Sequence, residues 1–293
     1  MAKLNKDSVF GTFVVIIVFC LVCSVLVSTA VVALDPFKKA AIINDRQISI
    51  LRVSGFDLEG TVAKTYEKHI DANLLDLATG EFVMDRKAEA DGYNFASLAK
   101  QDATSDKIPS NLDYAGIRSR AQFMPVYLSK DNDGNVVRII LPIYGQALWS
   151  TAYGYLAIAP DGNTIEGITF YSHGETPGLG GEIDNPRWQS LWYGKKLVRD
   201  DGSFGFNITK NPDKVDEGKD FDVDSLSGAT LTARGINNSV HYWMDVAYKP
   251  FLDKLRTSGL EGFVQTIDVS DESPATFGDD TTAVADSDTV EAQ

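Results

Sequence analysis

From Ser8 to Leu34 the chain runs 27 residues without a charge; only beyond Asp35 do polar and apolar positions intermix. As a helix this first run extends about 40 Å, against a hydrocarbon core of about 30 Å, so it is long enough to cross a bilayer with some tilt. A cleaved secretory signal is the rival reading, with Lys3 and Lys6 as its basic start and Val31-Val32-Ala33 as its cleavage site. Signal cores run only about 7–15 residues, so the length favours a retained anchor. Lys38, Lys39, Arg46 and Arg52 follow the run closely. A count of basic residues puts the C-terminal side in the cytoplasm, but long domains translocate largely regardless of charge, so the side stays open.

Two stretches then show apolar residues at helical spacing: Ala40, Ile43, Ile48 and Leu51 within 36–52, and Val62, Tyr66, Ile70 and Leu74 within 61–77. Residues 78–120 are polar and turn-rich, which predicts loops with short helices. From Phe123 the pattern becomes that of strands. Phe123–Leu128 and Val136–Ile143 flank Asp133-Gly134-Asn135, and Tyr153–Ala159 and Thr164–Tyr171 flank Pro160-Asp161-Gly162-Asn163. Each reads as a hairpin. Asp184–Tyr193 reads as a helix. Thr232–Leu255 reads as a long final helix with Ile236, Val240, Trp243, Met244 and Ala247 on one face, kinked or interrupted by Pro250. The fold class is α+β, with a single N-terminal transmembrane helix and a soluble domain of antiparallel sheet and flanking helices.

Net charge is −14, and eight of the acids, with no Lys or Arg, fall between Asp268 and Gln293. That stretch lacks core-forming residues and reads as a disordered tail. Phosphate binding along a nucleic acid needs clustered Lys and Arg, so the balance argues against such a partner. The two cysteines, Cys20 and Cys23, lie in the apolar run and read as small apolar residues in lipid; two thiols do not complete a four-Cys metal site. No metal ligand set and no standard nucleotide or hydrolase motif is present.

Two segments concentrate the chemistry. His173-Gly174-Glu175-Thr176-Pro177-Gly178-Leu179-Gly180-Gly181 is too glycine-rich for a strand or helix and lets backbone N–H groups approach a ligand. Asp224-Ser225-Leu226-Ser227-Gly228-Ala229-Thr230-Leu231-Thr232 precedes the final helix. Its hydroxyls serve either as N-caps or as part of a phosphate site at a helix N-terminus. A lone His such as His173 is more often structural than functional.

Asp224-x-x-Ser227-Gly228-Ala229-Thr230 resembles the flavinylation motif of the FMN-binding domain family. The resemblance implies covalent FMN on Thr230 through a phosphoester, made from FAD by a dedicated flavin transferase. Gly228 and Ala229 leave room at the hydroxyl, and Asp224 serves transferase recognition or the turn. Glu175-Thr176-Pro177-Gly178-Leu179-Gly180 is similar to the family's loop against the flavin. Gly145 to Ser150 is similar to its first signature, which implies FMN contacts from Trp149 and Ser150 as well as from Glu175, Thr176, Gly178, Leu179 and Gly180. Residues 182–188 resemble the C-type subunit of the bacterial sodium-translocating NADH:quinone reductases rather than the matching G-type subunit of the Rnf electron-transport complex. A membrane-tethered periplasmic binding module with no redox role is the alternative from a different class.

The resemblance implies one electron carrier in a multi-subunit NADH:ubiquinone reductase of the inner membrane, not active with NADH by itself, with a periplasmic soluble domain. Its partners are the other subunits, the flavin transferase and the lipid bilayer. The expected division is 1–35, cytoplasmic stub and transmembrane helix; 36–120, helical and loop-rich; 121–262, FMN-binding domain; and 263–293, acidic tail.

Overall fold

The computed structural model describes residues 9–56, 60–210, 212 and 218–264. Residues 1–8, and the expected acidic tail from 265 onward, lie outside the described residues.

The uncharged run and the helical pattern that follows it are one element, α1 (Val9–Val53), with Pro36 inside it. Among the described residues it is the helix long and apolar enough to cross a membrane. Cys20 and Cys23 lie in this apolar part as free thiols. Only the end of α1 docks: Ile50, Leu51 and Val53 are buried with Tyr66, Ile70, Tyr127, Ile140, Tyr155 and Ala157. The helix closes with the Phe56 N–H donating to the Leu51 carbonyl and the Gly55 N–H to the Arg52 carbonyl, a Schellman ending. Arg138 donates to the Ser54 carbonyl and pairs with Glu166, which pins this end to the sheet.

Next come α2 (Val62–His69), β1 (Ile70–Asp76), β2 (Glu81–Phe82), a 3₁₀ segment (Met84–Gly92), α3 (Phe95–Leu98), β3 (Ser105–Lys107) and β4 (Ser119–Ala121). The strands β5 (Phe123–Lys130), β6 (Val136–Gln146), β7 (Thr151–Ile158) and β8 (Ile165–Ser172) follow. The C-terminal part holds a 3₁₀ turn (Gly180–Asp184), α4 (Pro186–Ser190), β9 (Asn207–Thr209), α5 (Gly218–Phe221) and β10 (Asp222–Asp224). It ends with α6 (Thr230–His241), a π-helical stretch (Tyr242–Ala247), α7 (Lys249–Ser258) and α8 (Glu261–Val264).

The main sheet is antiparallel, in the order β2-β1-β5-β6-β7-β8. Both hairpins form where the turn residues place them, at Asp133-Gly134-Asn135 and around Asp161-Gly162-Asn163. The side-chain period of two divides the strands between two cores. Tyr127, Ile140, Tyr155 and Ala157 face α1, while Val126, Leu128, Ile139, Leu141, Leu156 and Ile158 face the larger core under α6 and α7.

Three element expectations need correction. Thr61–Leu77 is not one helix: α2 ends at His69 and β1 pairs with β5 from Ile70↔Ser129 to Asp76↔Phe123. Seven cross-strand pairs override a helical spacing that rests on two residues, Ile70 and Leu74. The helix expected over Asp184–Tyr193 is only the single turn α4, preceded by the 3₁₀ turn. The long final helix starts earlier, at Thr230, and is interrupted. Its π stretch places two anchors on β6, the Trp243 indole N–H on the Tyr144 carbonyl (2.6 Å) and the Tyr248 hydroxyl on the Pro142 carbonyl (2.9 Å). Pro250 then sits in the first turn of α7, where its missing N–H costs nothing.

Candidate functional site

The site forms where three segments distant in sequence meet at the start of α6. The segment from β10 to α6 turns through Ser227 and Gly228. Gly228 has φ +76°, a left-handed conformation that glycine adopts without strain. Leu179 lies against it: a Cβ at Gly228 would be 3.5 Å from the Leu179 methyl. Ala229 is the N-cap of α6 and is buried, and Thr230 is the first helical residue, with its side chain exposed. Asp224 and Ser227 are exposed as well. Trp188 of α4 donates its indole N–H to the Asp224 carbonyl at 2.8 Å, so the 182–188 segment braces the approach to the motif.

The second segment is the loop after β8. Thr176, Gly178 and Leu179 are exposed, whereas Glu175 and Gly180 are buried. The Glu175 side chain turns inward. Its Oε1 accepts from the Trp149 backbone N–H at 2.8 Å, and its Oε2 accepts from the Thr232 hydroxyl at 2.6 Å. Gly180 lies so close that a Cβ there would come within 2.5 Å of the Thr232 hydroxyl and 2.7 Å of Glu175 Oε2. His173 braces the same loop. Its Nδ1 accepts from the Glu175 N–H at 3.2 Å, which leaves the proton on Nε2 to donate to Asp184 at 2.8 Å.

The third segment is the turn between β6 and β7. Trp149 is 69% exposed and Leu148 40% exposed. Ser150 Oγ accepts from the Gly174 N–H at 2.6 Å, which joins this turn to the second loop.

The structure therefore brings together the residues of all three motifs, but in two layers. Thr230, Trp149, Thr176, Gly178 and Leu179 face outward. Together with Leu148 and Leu231 they give an exposed apolar surface around a free-standing hydroxyl. Glu175 and Gly180 lie beneath it. Two residues outside the expected set enter the lower layer, Thr232 and His173; in sequence the only sign of either is its place within a motif segment.

The helix start fits an anion. Ala229 offers no side-chain acceptor to the first turn, no acidic residue lies in that turn, and the first amides of a helix lack intrahelical partners. A phosphate group on the Thr230 hydroxyl matches that donor set, and the exposed Trp149, Leu148, Leu179 and Leu231 match a flat aromatic ring.

The family model described as FMN-binding domain matches residues 148–245. The chain is 43% identical over 261 residues to the C-type subunit of the Na(+)-translocating NADH-quinone reductase of Neisseria meningitidis serogroup B, covering 88% of this chain and 99% of that protein. It is 42% identical over 260 residues to the same subunit of Vibrio parahaemolyticus, covering 87% and 98%. Among solved structures, it is similar to the crystal structure of Shewanella oneidensis NqrC, with a TM-score of 0.68 and 33% identity over 75% of this chain and all of that one. The corresponding structure from Parabacteroides distasonis aligns with a TM-score of 0.58 and 27% identity, over 74% of this chain and 95% of that one.

Proposed function

Because this chain belongs to the NqrC family, the C-type subunits of Na(+)-translocating NADH-quinone reductase, we propose that Thr230 carries FMN in phosphoester linkage and that the apolar face around it holds the flavin ring. The chain is an FMN electron-carrier subunit of the sodium-translocating NADH-quinone reductase and acts together with the other subunits of that complex.

The observation that carries the site assignment is an exposed hydroxyl on the first residue of a helix whose N-cap is alanine. A phosphoryl group on Thr230 supplies the acceptor that Ala229 lacks, and the helix dipole favours its charge. Leu148, Trp149, Leu179 and Leu231 offer the ring apolar surface, and Ser150, Thr176 and Gly178 lie on the two loops that frame it. Bound FMN takes up and passes on one or two electrons. The chain's own part is to hold the ring at the protein surface and turn it toward a neighbouring component of the complex.

Attachment is made by a flavin transferase from FAD. Thr230 would supply the hydroxyl oxygen that takes the FMN phosphate, with AMP as the leaving group. Asp224 and Ser227, both exposed, are what the transferase reads. The α1 helix crosses the inner membrane and the soluble domain lies in the periplasm, where a covalent bond prevents loss of the cofactor.

A denaturing gel viewed under ultraviolet light tests the reading. Flavin fluorescence travels with the wild-type band and is absent from Thr230→Val. A fluorescent Thr230→Val band would sink the assignment.

A further inference from the structure

Both carboxylate oxygens of Glu175 are committed to groups in other segments, and the residue is only 5% exposed. One partner, Trp149, lies 26 residues earlier; the other, Thr232, lies 57 residues later. Thr232 is itself fully buried and stands two residues into α6 from Thr230. A side chain buried this way does not present its carboxylate to a ligand at the surface. What it does is tie the turn that presents Trp149 to the first turn of the helix that presents Thr230. Gly180 lies against both the carboxylate and the Thr232 hydroxyl, where a side chain would collide with the pair. His173 fixes the same residue's backbone by accepting the Glu175 N–H.

We propose that Glu175 is a positioning residue rather than a flavin contact: its buried carboxylate sets the distance between Trp149, against the ring, and Thr230, at the phosphate end. The proposal rests on the assignment of FMN to Thr230. Its signature is the substitution pattern. In Glu175→Gln the amide oxygen still accepts from the Trp149 N–H, and the amide NH₂ donates to the Thr232 hydroxyl, which can accept as well as donate. In Glu175→Leu both bonds go. In Thr232→Val only the second goes, and a carboxylate oxygen is left buried without its donor, a costly state.

The test uses the full-length chain produced with its flavin transferase. It measures the yield of covalent flavin per protein and the visible circular dichroism of the bound flavin, which reports how the ring is held. Glu175→Leu and Thr232→Val each lower the yield on the order of tenfold, the factor one lost buried hydrogen bond to a charged group sets, and flatten the dichroism of the flavin that remains. Glu175→Gln restores yield and dichroism to the wild-type level. If Glu175→Leu does not fold, Thr232→Val decides. Folded Thr232→Val and Glu175→Leu with wild-type yield and dichroism overturn the proposal, as does a Gln variant as impaired as the Leu variant. A wild-type chain without covalent flavin would instead defeat the assignment of Thr230, since every variant is read against it.

Discussion

The Thr232 hydroxyl donates to Glu175 Oε2 at 2.6 Å in the protein interior, while Thr230, two residues earlier on the same helix, faces solvent. The two threonines share a motif and a side-chain chemistry, yet only one hydroxyl is open to an incoming phosphorus. Burial and a committed hydrogen bond remove Thr232 from competition.

Trp149 is largely exposed, so its removal leaves the fold intact: a surface substitution away from special backbone features changes stability by about 0.5 kcal/mol or less. Trp149→Ala therefore keeps the thermal midpoint of the wild type but alters flavin absorbance and relieves quenching. Unchanged flavin spectra in the folded variant would remove Trp149 from the ring site.

Trp188→Phe keeps an aromatic ring against Trp192, its T-shaped neighbour at 5.3 Å, and deletes the N–H that holds the Asp224 carbonyl. The expected cost is about 1 kcal/mol in urea unfolding, the usual net worth of one hydrogen bond. A variant as stable as the wild type would show that the brace is not felt.

The sequence shows both hairpins, because Asp133-Gly134-Asn135 and Pro160-Asp161-Gly162-Asn163 fix a turn locally and β-rich segments flank each. It does not show β1, whose state is decided by pairing with the distant β5, nor the π stretch, which is set by the reach of Trp243 and Tyr248 to β6. At the site the glycine-rich loop and the motif before α6 are legible as segments. The inward turn of Glu175 is not, since a glutamate in a polar loop reads as a surface residue until Trp149 and Thr232 are brought to it.

Asp71 on β1 pairs with Lys87 of the 84–92 segment at 2.8 Å and with Lys130 at the end of β5 at 2.9 Å. Partial burial alone would raise its carboxyl, but the hydrogen bonds and charges of the two lysines outweigh that and hold it below the usual carboxylate range. A depressed carboxylate contributes stability that is present above its unfolded value, about 3.9, and is lost as pH falls through the folded value. Asp71→Asn is therefore less stable than the wild type at pH 7 and closes that gap as the solution is acidified below about pH 4. An equal difference in urea unfolding at neutral pH and at about pH 3 would contradict this.

A reporter joined after Gln293 tests the side on which the soluble domain lies. A periplasm-dependent reporter is active there, and a cytoplasm-dependent one is silent. The opposite result would mean that Lys38, Lys39, Arg46 and Arg52 mark the cytoplasmic side after all.

The central claim is that FMN is bonded to the Thr230 oxygen, and fragmentation mass spectrometry of the peptide spanning Leu226 to Arg234 tests it most directly. That peptide contains both Thr230 and Thr232, so the fragment series separates them. The account predicts an added mass of FMN less one water on fragments that include Thr230 and none on those that begin at Leu231; in Thr232→Val whatever flavin is attached is still on Thr230, and in Thr230→Val the added mass is absent. An unmodified peptide from flavin-bearing protein, or the added mass on Thr232, would contradict it.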